Sequence, residues 1–282
     1  MRFEKWQALG NDYIVLERDE VGFELTPKRI RRICAAHFGC HSDGILLLSR
    51  TDDESYVAEL RIFNPDGSEA ELSGNGAREA VLYLRRAGWT DEDTFTIITA
   101  AGEITPTLTG PGSARVGMGR ASVTSTDYPD GAPDGRGRID VGGEELEFQH
   151  VSIGNPQCAI EIAEGLDDLD LSAIGPALEG SSLFPNRTNV SFWAVADRER
   201  RIVRARIFER GVGETLSSGT GASGAAIAAH LRGLPSPITV RLDGGELEVE
   251  ISEDLNIALT GTANPVFSGE FAPELVSELE EI

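Results

Sequence analysis

Two short glycine-rich sequences carry the residues of this chain with the clearest potential for chemistry. Ser73-Gly74-Asn75-Gly76-Ala77 precedes the run 77–86, and Ser218-Gly219-Thr220-Gly221-Ala222 precedes the apolar run 222–231. Serine favours the N-cap of a helix, glycine lets the backbone approach a ligand, and the unpaired amides of a first helical turn attract an anion. One copy alone would indicate no more than a capped helix, whereas two copies predict a carboxylate site.

The two sequences belong to an internal repeat, in which features recur in order at an offset of 144 or 145 residues. The matched pairs are Gly10-Asn11 with Gly154-Asn155, Arg61-Ile62-Phe63 with Arg206-Ile207-Phe208, Glu69 with Glu214, and Ser73 with Ser218. Duplicated halves tend to face each other across a pseudo-two-fold axis. We therefore expect both serine-headed sequences to converge on one ligand in a cleft between the halves.

Polar residues of turns are expected near the same ligand. Asparagine is common in turns for local reasons, but its amide also offers a donor and an acceptor to a bound amino acid. Glu209 and Arg210 replace Asn64 and Pro65 of the first half; Glu209 could hold an ammonium group, and Arg210 could hold a carboxylate or pair with Glu209. The asparagines expected in turns are Asn11, Asn64, Asn75, Asn155 and Asn189.

The elements that position these residues are short strands around one helix in each half, which predicts an α/β (α+β) chain of two pseudo-symmetric domains. The helices are expected over Ala77–Arg86 and Ala222–Leu231, the second buried on all sides because it is almost wholly apolar. The predicted division is 1–122 with 264–282, and 123–263, with a loop over 125–137 where the halves meet. Strands are expected at Thr94–Ile98, Ile139–Val141, Leu146–Phe148, Thr239–Leu242 and Leu247–Ile251.

Composition narrows the classes of partner and compartment. The chain has 282 residues with 47 acidic and 25 basic side chains, a formal charge of −22, so a nucleic-acid partner is not expected. No signal peptide, membrane span or disulfide framework is predicted, and three cysteines suit a reducing cytoplasm. The segment from Cys34 to His41 spaces its thiols and imidazoles as a helix running into a turn would, so no metal site is expected.

The sequence as a whole closely resembles the diaminopimelate epimerase family, within a wider proline racemase-like group. That resemblance implies two domains, each a barrel of strands around a central helix, and inversion of an amino acid's α-carbon without cofactor or metal. It also implies a substrate-binding set formed by Asn11, Asn64, Asn155, Asn189, Glu209 and Arg210, with Gly74-Asn75 and Gly219-Thr220 as carboxylate-binding turns. A homodimer is a further expectation. The resemblance is carried by Ala8-Leu9-Gly10-Asn11-Asp12-Tyr13, Phe38-Gly39, Asp43-Gly44, Asn64-Pro65-Asp66-Gly67-Ser68-Glu69, Gly74-Asn75-Gly76-Ala77-Arg78, Gly154-Asn155-Pro156, Arg187-Thr188-Asn189 and Glu209-Arg210-Gly211-Val212-Gly213-Glu214-Thr215.

Departures from the family pattern fall at the reacting positions. By resemblance, Ser73 and Ser218 stand where the family has its two catalytic cysteines, and Gln157 stands where it has a histidine. A thiol titrates near neutral pH and a serine hydroxyl does not, so an unassisted serine pair is a poor proton relay. Three functions follow: an epimerase using Ser73 and Ser218, a hydroxyproline-type dehydratase or epimerase, or an amino-acid-binding homologue without chemistry. Cys40 and His41, in a loop near the substrate's far end by resemblance, are further candidates.

Overall fold

The computed structural model describes residues 1–141 and 143–282 and separates the chain into two compact units. The first unit contains Met1–Val116 and Gly261–Ile282, and the second contains Gly117–Thr260. The chain therefore passes from one unit to the other a few residues before each of the two predicted divisions, at 122/123 and 263/264.

The described elements are five α-helices and nineteen strands. The helices are α1 Pro27–Cys34, α2 Gly74–Arg86, α3 Leu171–Glu179, α4 Gly219–Leu231 and α5 Pro273–Glu281. The strands of the first half are β1 Arg2–Ala8, β2 Asn11–Glu17, β3 Ile45–Ser49, β4 Glu59–Phe63, β5 Glu69–Ala70, β6 Ile97–Thr99, β7 Gly102–Ile104, β8 Thr107–Gly110 and β9 Ser113–Arg120. The remaining strands are β10 Arg136–Val141, β11 Glu144–Ser152, β12 Pro156–Glu161, β13 Asn189–Asp197, β14 Ile202–Glu209, β15 Gly213–Thr215, β16 Ile238–Leu242, β17 Gly245–Ile251, β18 Asn256–Thr262 and β19 Asn264–Glu270.

The first unit is built on a sheet in the order β19-β1-β2-β3-β4-β6-β7, with β5 paired to β4. The helix α2 packs against β1, β2 and β3. Its buried residues Ala80, Val81 and Leu84 share a core with Trp6 and Leu46 of the sheet. The start of α2 is thereby fixed against the sheet, including β2, which carries Asn11 and Tyr13.

The terminal helix α5 belongs to this first unit and packs beside α1. Leu279 of α5 and Ile30 of α1 are buried in one apolar cluster. On the surface, the guanidinium of Arg32 lies 2.6 Å from the carboxylate of Glu278. An apolar stripe on each helix, bordered by opposite charges, accounts for this packing.

The second unit repeats the same local plan around α4. Its sheet runs β10-β11-β12-β13-β14-β16-β17-β18, with β15 paired to β14. The helix contacts β11, β12, β13, β14, β16 and β17, and Gly221 to Ala229 are buried without interruption. Gly221 permits the closest approach, because a Cβ there would lie 2.7 Å from Cγ2 of Ile207 on β14.

The predicted fold class is confirmed, since the chain is a mixed α/β protein with two large sheets and few helices. Both central helices begin three residues earlier than predicted, at Gly74 and Gly219, because the serine caps the helix directly. The strand predicted over Thr94–Ile98 is wrong in its bounds: Thr94 forms only an isolated bridge, and β6 begins at Ile97. The loop predicted over 125–137 ends where β10 begins at Arg136.

Candidate active site

Ser73 lies at the start of the buried helix of the first unit. It is the N-cap of α2, with an extended backbone (φ −128°, ψ 123°). Its Oγ accepts a hydrogen bond from the amide of Gly76 at 3.1 Å and another from the hydroxyl of Tyr13 at 3.3 Å. Because β2 carries Tyr13 along the face of α2, strand and helix together fix the serine hydroxyl.

A chain of hydrogen bonds orients the asparagines beside Ser73. The guanidinium of Arg78 donates to Oδ1 of Asn75 at 2.5 Å, and Nδ2 of Asn75 donates to Oδ1 of Asn11 at 3.1 Å. Nδ2 of Asn11 then donates to a carboxylate oxygen of Asp43 at 2.8 Å. A permanent cation at one end and a carboxylate at the other fix which way both amides point.

Ser218 occupies the matched place in the second unit, with a different partner. It is the N-cap of α4 (φ −142°, ψ 122°), and its Oγ accepts from the amide of Gly221 at 3.2 Å. Its own hydroxyl donates to Oε2 of Glu209 at 3.0 Å. The other carboxylate oxygen of Glu209 accepts from the hydroxyl of Thr215 at 2.7 Å. The β14–β15 hairpin therefore holds a carboxylate directly behind the capping serine.

The asparagine of the second unit repeats one contact of the first and reverses its direction. Nδ2 of Asn155 donates to the hydroxyl of Thr220 at 3.3 Å, whereas Asn11 accepts from Asn75 at the matched position. Oδ1 of Asn155 accepts from Nε2 of the buried Gln157 at 2.6 Å. Gly10 and Gly154, which precede the two asparagines, both have positive φ (87° and 76°), a conformation that glycine adopts without strain.

Asn189 and Arg210 are joined to each other in the second unit. Oδ1 of Asn189 accepts from the amide of Arg210 at 2.8 Å, and its Nδ2 donates to the carbonyl of Pro156 at 3.2 Å. The guanidinium of Arg210 donates to the carbonyl of Asn186 at 3.0 Å. The side chain of Asn189 thus ties the end of β14 to the start of β12.

Asn64 has contacts of a different kind, which lie within its own turn. Its Nδ2 donates to Oγ of Ser68 at 3.0 Å, and its amide and carbonyl bond to Ser68 and Gly67. The prediction that all five asparagines lie in turns is partly wrong. Asn75 is in the first turn of α2, while Asn11 and Asn189 open β2 and β13.

Two buried ionisable residues lie about one helical turn beyond Ser73. Arg78 and Glu79 are both fully buried, and neither carboxyl oxygen of Glu79 meets hydrogen-bond geometry with any residue that the structure describes. Burial raises the pKa of Glu79 well above its ordinary value, although Arg78 opposes the shift. Burial also lowers the pKa of Arg78 to about 10. Burial accordingly favours the neutral form of Glu79, beside a guanidinium that stays charged near pH 7.

Among the described residues, the thiols and imidazoles of the segment 34–41 form no metal-binding cluster. Burial raises the pKa of Cys34 to about 12 and also raises that of Cys40, where Lys5 opposes the shift. All three cysteines are free, and within residues 1–141 and 143–282 no group of three or more potential ligands has the geometry to hold a metal ion. Neither thiol is therefore a ready nucleophile.

Solved structures show the class of fold to which this architecture belongs. The crystal structure of a probable proline racemase from Agrobacterium radiobacter, with bound carbonate, has a TM-score of 0.70 at 16% identity and covers 98% of this chain and 95% of its own. That of a hydroxyproline epimerase from Agrobacterium vitis, with bound trans-4-hydroxy-L-proline, has a TM-score of 0.65 at 16% identity, covering 95% and 91%. The fold is that of the racemase-like proteins.

Sequence comparison is more specific. The model of the family described as diaminopimelate epimerase matches residues 3–124 and 149–266. Diaminopimelate epimerase 2 of Nostoc sp. is 41% identical over 98% of this chain and 97% of the relative, and diaminopimelate epimerase of Desulfitobacterium hafniense is 36% identical over 98% and 100%. The chain belongs to the diaminopimelate epimerase family, which confirms the family predicted from the motifs.

The structure brings together residues that motif spacing could not. It joins Ser73 to Tyr13 and Ser218 to Glu209, and it adds Asp43, Arg78 and Thr215 as partners that the sequence did not single out for a role. Tyr13 and Thr215 lay within recognised motifs, so their hydroxyls were the available signal.

None of the helices that the structure describes has the length and apolar character required to cross a membrane.

Proposed function

We propose that the chain is a cofactor-independent epimerase that inverts the α-carbon of diaminopimelate, with Ser73 and Ser218 at the proton-transfer positions. Full-length relatives named diaminopimelate epimerase support the substrate. The observation that carries the chemistry is the 3.0 Å hydrogen bond from Ser218 to Glu209, which connects a capping serine to a carboxylate. That the two serines serve one substrate is supported by their matched positions at an offset of 145 residues.

The carboxylate of Glu209 supplies the basicity that an unassisted serine hydroxyl lacks. A free alkoxide is inaccessible near neutral pH, whereas a carboxylate is an ordinary general base. In the proposed step, the α-proton moves to Oγ of Ser218 while the hydroxyl proton of Ser218 moves to Glu209. Charge then ends on the substrate's α-carbon and is lost from Glu209, and no free alkoxide forms. Thr215 holds the second oxygen of Glu209 and keeps the first directed at the serine.

The other predicted residues are assigned to binding. We place the substrate's carboxylates at the first-turn amides of α2 and α4, next to Gly74-Asn75 and Gly219-Thr220, because unpaired amides and the helix dipole favour an anion there. Asn11 and Asn155 bond to the side chains of Asn75 and Thr220 in these turns. Arg210 is assigned to binding as a cation for a carboxylate. We also assign Asn64 and Asn189 to substrate binding, although their side-chain amides fix the loops that carry them.

The proposal is tested by incubating the protein with diaminopimelate in heavy water and following the α-proton by NMR. Exchange accompanied by inversion is the expected result. Ligand-induced thermal stabilisation without exchange would instead identify an amino-acid-binding protein. Loss of water from a hydroxyproline, without turnover of diaminopimelate, would identify the dehydratase alternative. Either of the last two results contradicts the proposed epimerase.

The oligomeric state of the chain and its cellular compartment remain predictions. A homodimer is testable by light scattering of the purified chain, where a mass near twice 30.3 kDa is expected. A cytoplasmic location is supported by the three free thiols, which suit a reducing compartment.

A further inference from the structure

The hydrogen bonds of Ser73 leave it able to donate but not to accept. A serine hydroxyl has one proton and two acceptor positions. Both acceptor positions of Ser73 are used, by the amide of Gly76 at 3.1 Å and by the hydroxyl of Tyr13 at 3.3 Å. Neither bond uses the serine's own proton. Any further hydrogen bond to a ligand must therefore be one in which Ser73 donates.

The hydrogen bonds of Ser218 leave it able to accept but not to donate. Its proton is committed to Glu209 at 3.0 Å, and one acceptor position is used by the amide of Gly221 at 3.2 Å. One acceptor position remains. The difference arises because the group behind Ser218 is a carboxylate, which only accepts, whereas the group behind Ser73 is a phenol that donates to it.

We propose that Tyr13 is a positioning residue that makes Ser73 the proton donor in the direction in which Ser218 with Glu209 removes the α-proton. Ser73 and Ser218 then enter that reaction with opposite polarity, and the reverse reaction starts from the Tyr13 phenolate. The inference rests on the proposed function, and it assigns the direction of proton flow in this chain. Ser218 with Glu209 takes the α-proton on one face, and Ser73 returns a proton on the other.

The return step balances when Tyr13 is included. The O–H bond of Ser73 breaks as its proton joins the α-carbon, and the proton of Tyr13 moves to Oγ of Ser73. The negative charge moves from carbon to the phenol oxygen, which tolerates charge far better than an aliphatic alkoxide. Proton exchange with water then restores Tyr13 and ionised Glu209. Tyr13 thus gives a proton to Ser73, whereas Glu209 takes a proton from Ser218.

The decisive measurement separates proton removal from inversion. In heavy water, deuterium that appears in recovered starting epimer reports removal and return on one face, and deuterium in the inverted epimer reports transfer across the site. In Tyr13→Phe we expect inversion to fall about tenfold or more relative to exchange in the starting epimer. A merely structural role would lower both rates by the same factor.

Tyr83→Phe is the matched control, because Tyr83 is a half-buried tyrosine of the same unit whose hydroxyl donates to Glu17 at 2.7 Å. Its ratio of inversion to exchange should equal that of the unmodified protein, with similar melting temperatures for both variants. A second comparison does not involve Tyr13: Ser73→Ala should keep exchange with one epimer, and Ser218→Ala should lose exchange with both.

An unchanged ratio in Tyr13→Phe, or equal residual exchange in Ser73→Ala and Ser218→Ala, would overturn the polarity while leaving the epimerase in place. Absence of exchange in the unmodified protein would overturn the epimerase and this inference with it.

Discussion

At the scale of single residues, equivalent positions of the repeat have different neighbours, and this difference determines the proposed chemistry. The two capping serines accept from the third residue beyond them in the same way. They differ in the side chain behind them, which is Tyr13 in one unit and Glu209 in the other. Two serines with similar backbone angles can therefore take the unlike roles proposed for them.

The first prediction concerns Glu209. We expect Glu209→Gln to lower α-proton exchange by about 10²–10⁴-fold, because the amide cannot accept the proton that Ser218 gives up. Glu214→Gln is a suitable control, since Glu214 lies in the same hairpin and pairs with Arg206 at a partly exposed site. Its loss should cost about 1 kcal/mol or less in stability and leave exchange unchanged. Exchange at the parent rate in Glu209→Gln would remove the carboxylate from the mechanism.

The second prediction concerns Glu79 and pH. Because its pKa is raised in the folded state above the ordinary 4.5, the native protein binds more protons than the unfolded chain above that pH. Stability should fall as pH rises from about 4.5 through the folded pKa. Glu79→Gln removes that loss, so its free energy of unfolding should match the parent near pH 4.5 and exceed it by about 1–3 kcal/mol in alkaline solution.

Chemical denaturation of the parent and Glu79→Gln across pH measures this difference. Glu59→Gln, at an exposed position on β4, should show no growing difference from the parent. A constant offset between parent and Glu79→Gln at every pH would mean that the carboxyl does not titrate above its usual range.

Much of this residue-scale picture was accessible from sequence, but not all of it. The serine and glycine motifs and the exchange of Asn64 for Glu209 mark the residues around each capping serine. Whether a hydroxyl donates or accepts depends on which side chain lies within about 3 Å of it, and Tyr13 is sixty positions from Ser73 in the chain. Motif spacing carries no information on such a contact.

At the scale of elements, the two central helices occupy equivalent places with different tolerance for added volume. A Cβ at Gly221 would lie 2.7, 3.0 and 3.1 Å from three atoms of Ile207, whose branched side chain has little freedom on a strand. At the matched Gly76, a Cβ would lie 3.0 Å from Cδ2 of Leu46, the end of a longer side chain, and 3.3 Å from Cβ of Ser73.

This contrast gives the third prediction. Gly221→Ala should destabilise the protein by about 1–3 kcal/mol through overpacking. Gly76→Ala should cost less than Gly221→Ala, because its nearest contact is the end of a flexible side chain and alanine favours the helix by about 1 kcal/mol over glycine. Denaturant unfolding of the two variants is the measurement. Equal costs would show that β14 moves aside as readily as the side chain of Leu46 does.

The positions of the elements followed from sequence where a strong local signal existed. Apolar content and an N-cap serine located both central helices to within three residues at their starts. The strand expected at Thr94–Ile98 was misplaced, because alternation alone does not say which residues find a partner strand. The pairing of β6 with β4, which begins at Ile98 and Glu59, is fixed by tertiary contact.

At the scale of the whole molecule, net charge is the dominant feature of the sequence. With 47 acidic and 25 basic side chains, pairs of like charge, which repel, outnumber pairs of opposite charge, which attract. Exposed ion pairs such as Arg138 with Glu145 and Glu147 oppose that repulsion, but each contributes about 0–1 kcal/mol. Salt screens both interactions. Weaker repulsion makes the folded chain more stable, whereas weaker ion pairs make it less stable.

The fourth prediction follows from a charge of −22. Raising monovalent salt from about 0.01 to 0.15 M shortens the screening length from about 30 to 8 Å, so distant like charges cease to interact while contacting pairs lose less. The melting temperature should rise by about 2 °C or more, with NaCl and KCl equivalent at equal ionic strength. A melting temperature that falls with salt would mean that the ion pairs, and not the excess of carboxylates, determine how the folded chain responds to its surroundings.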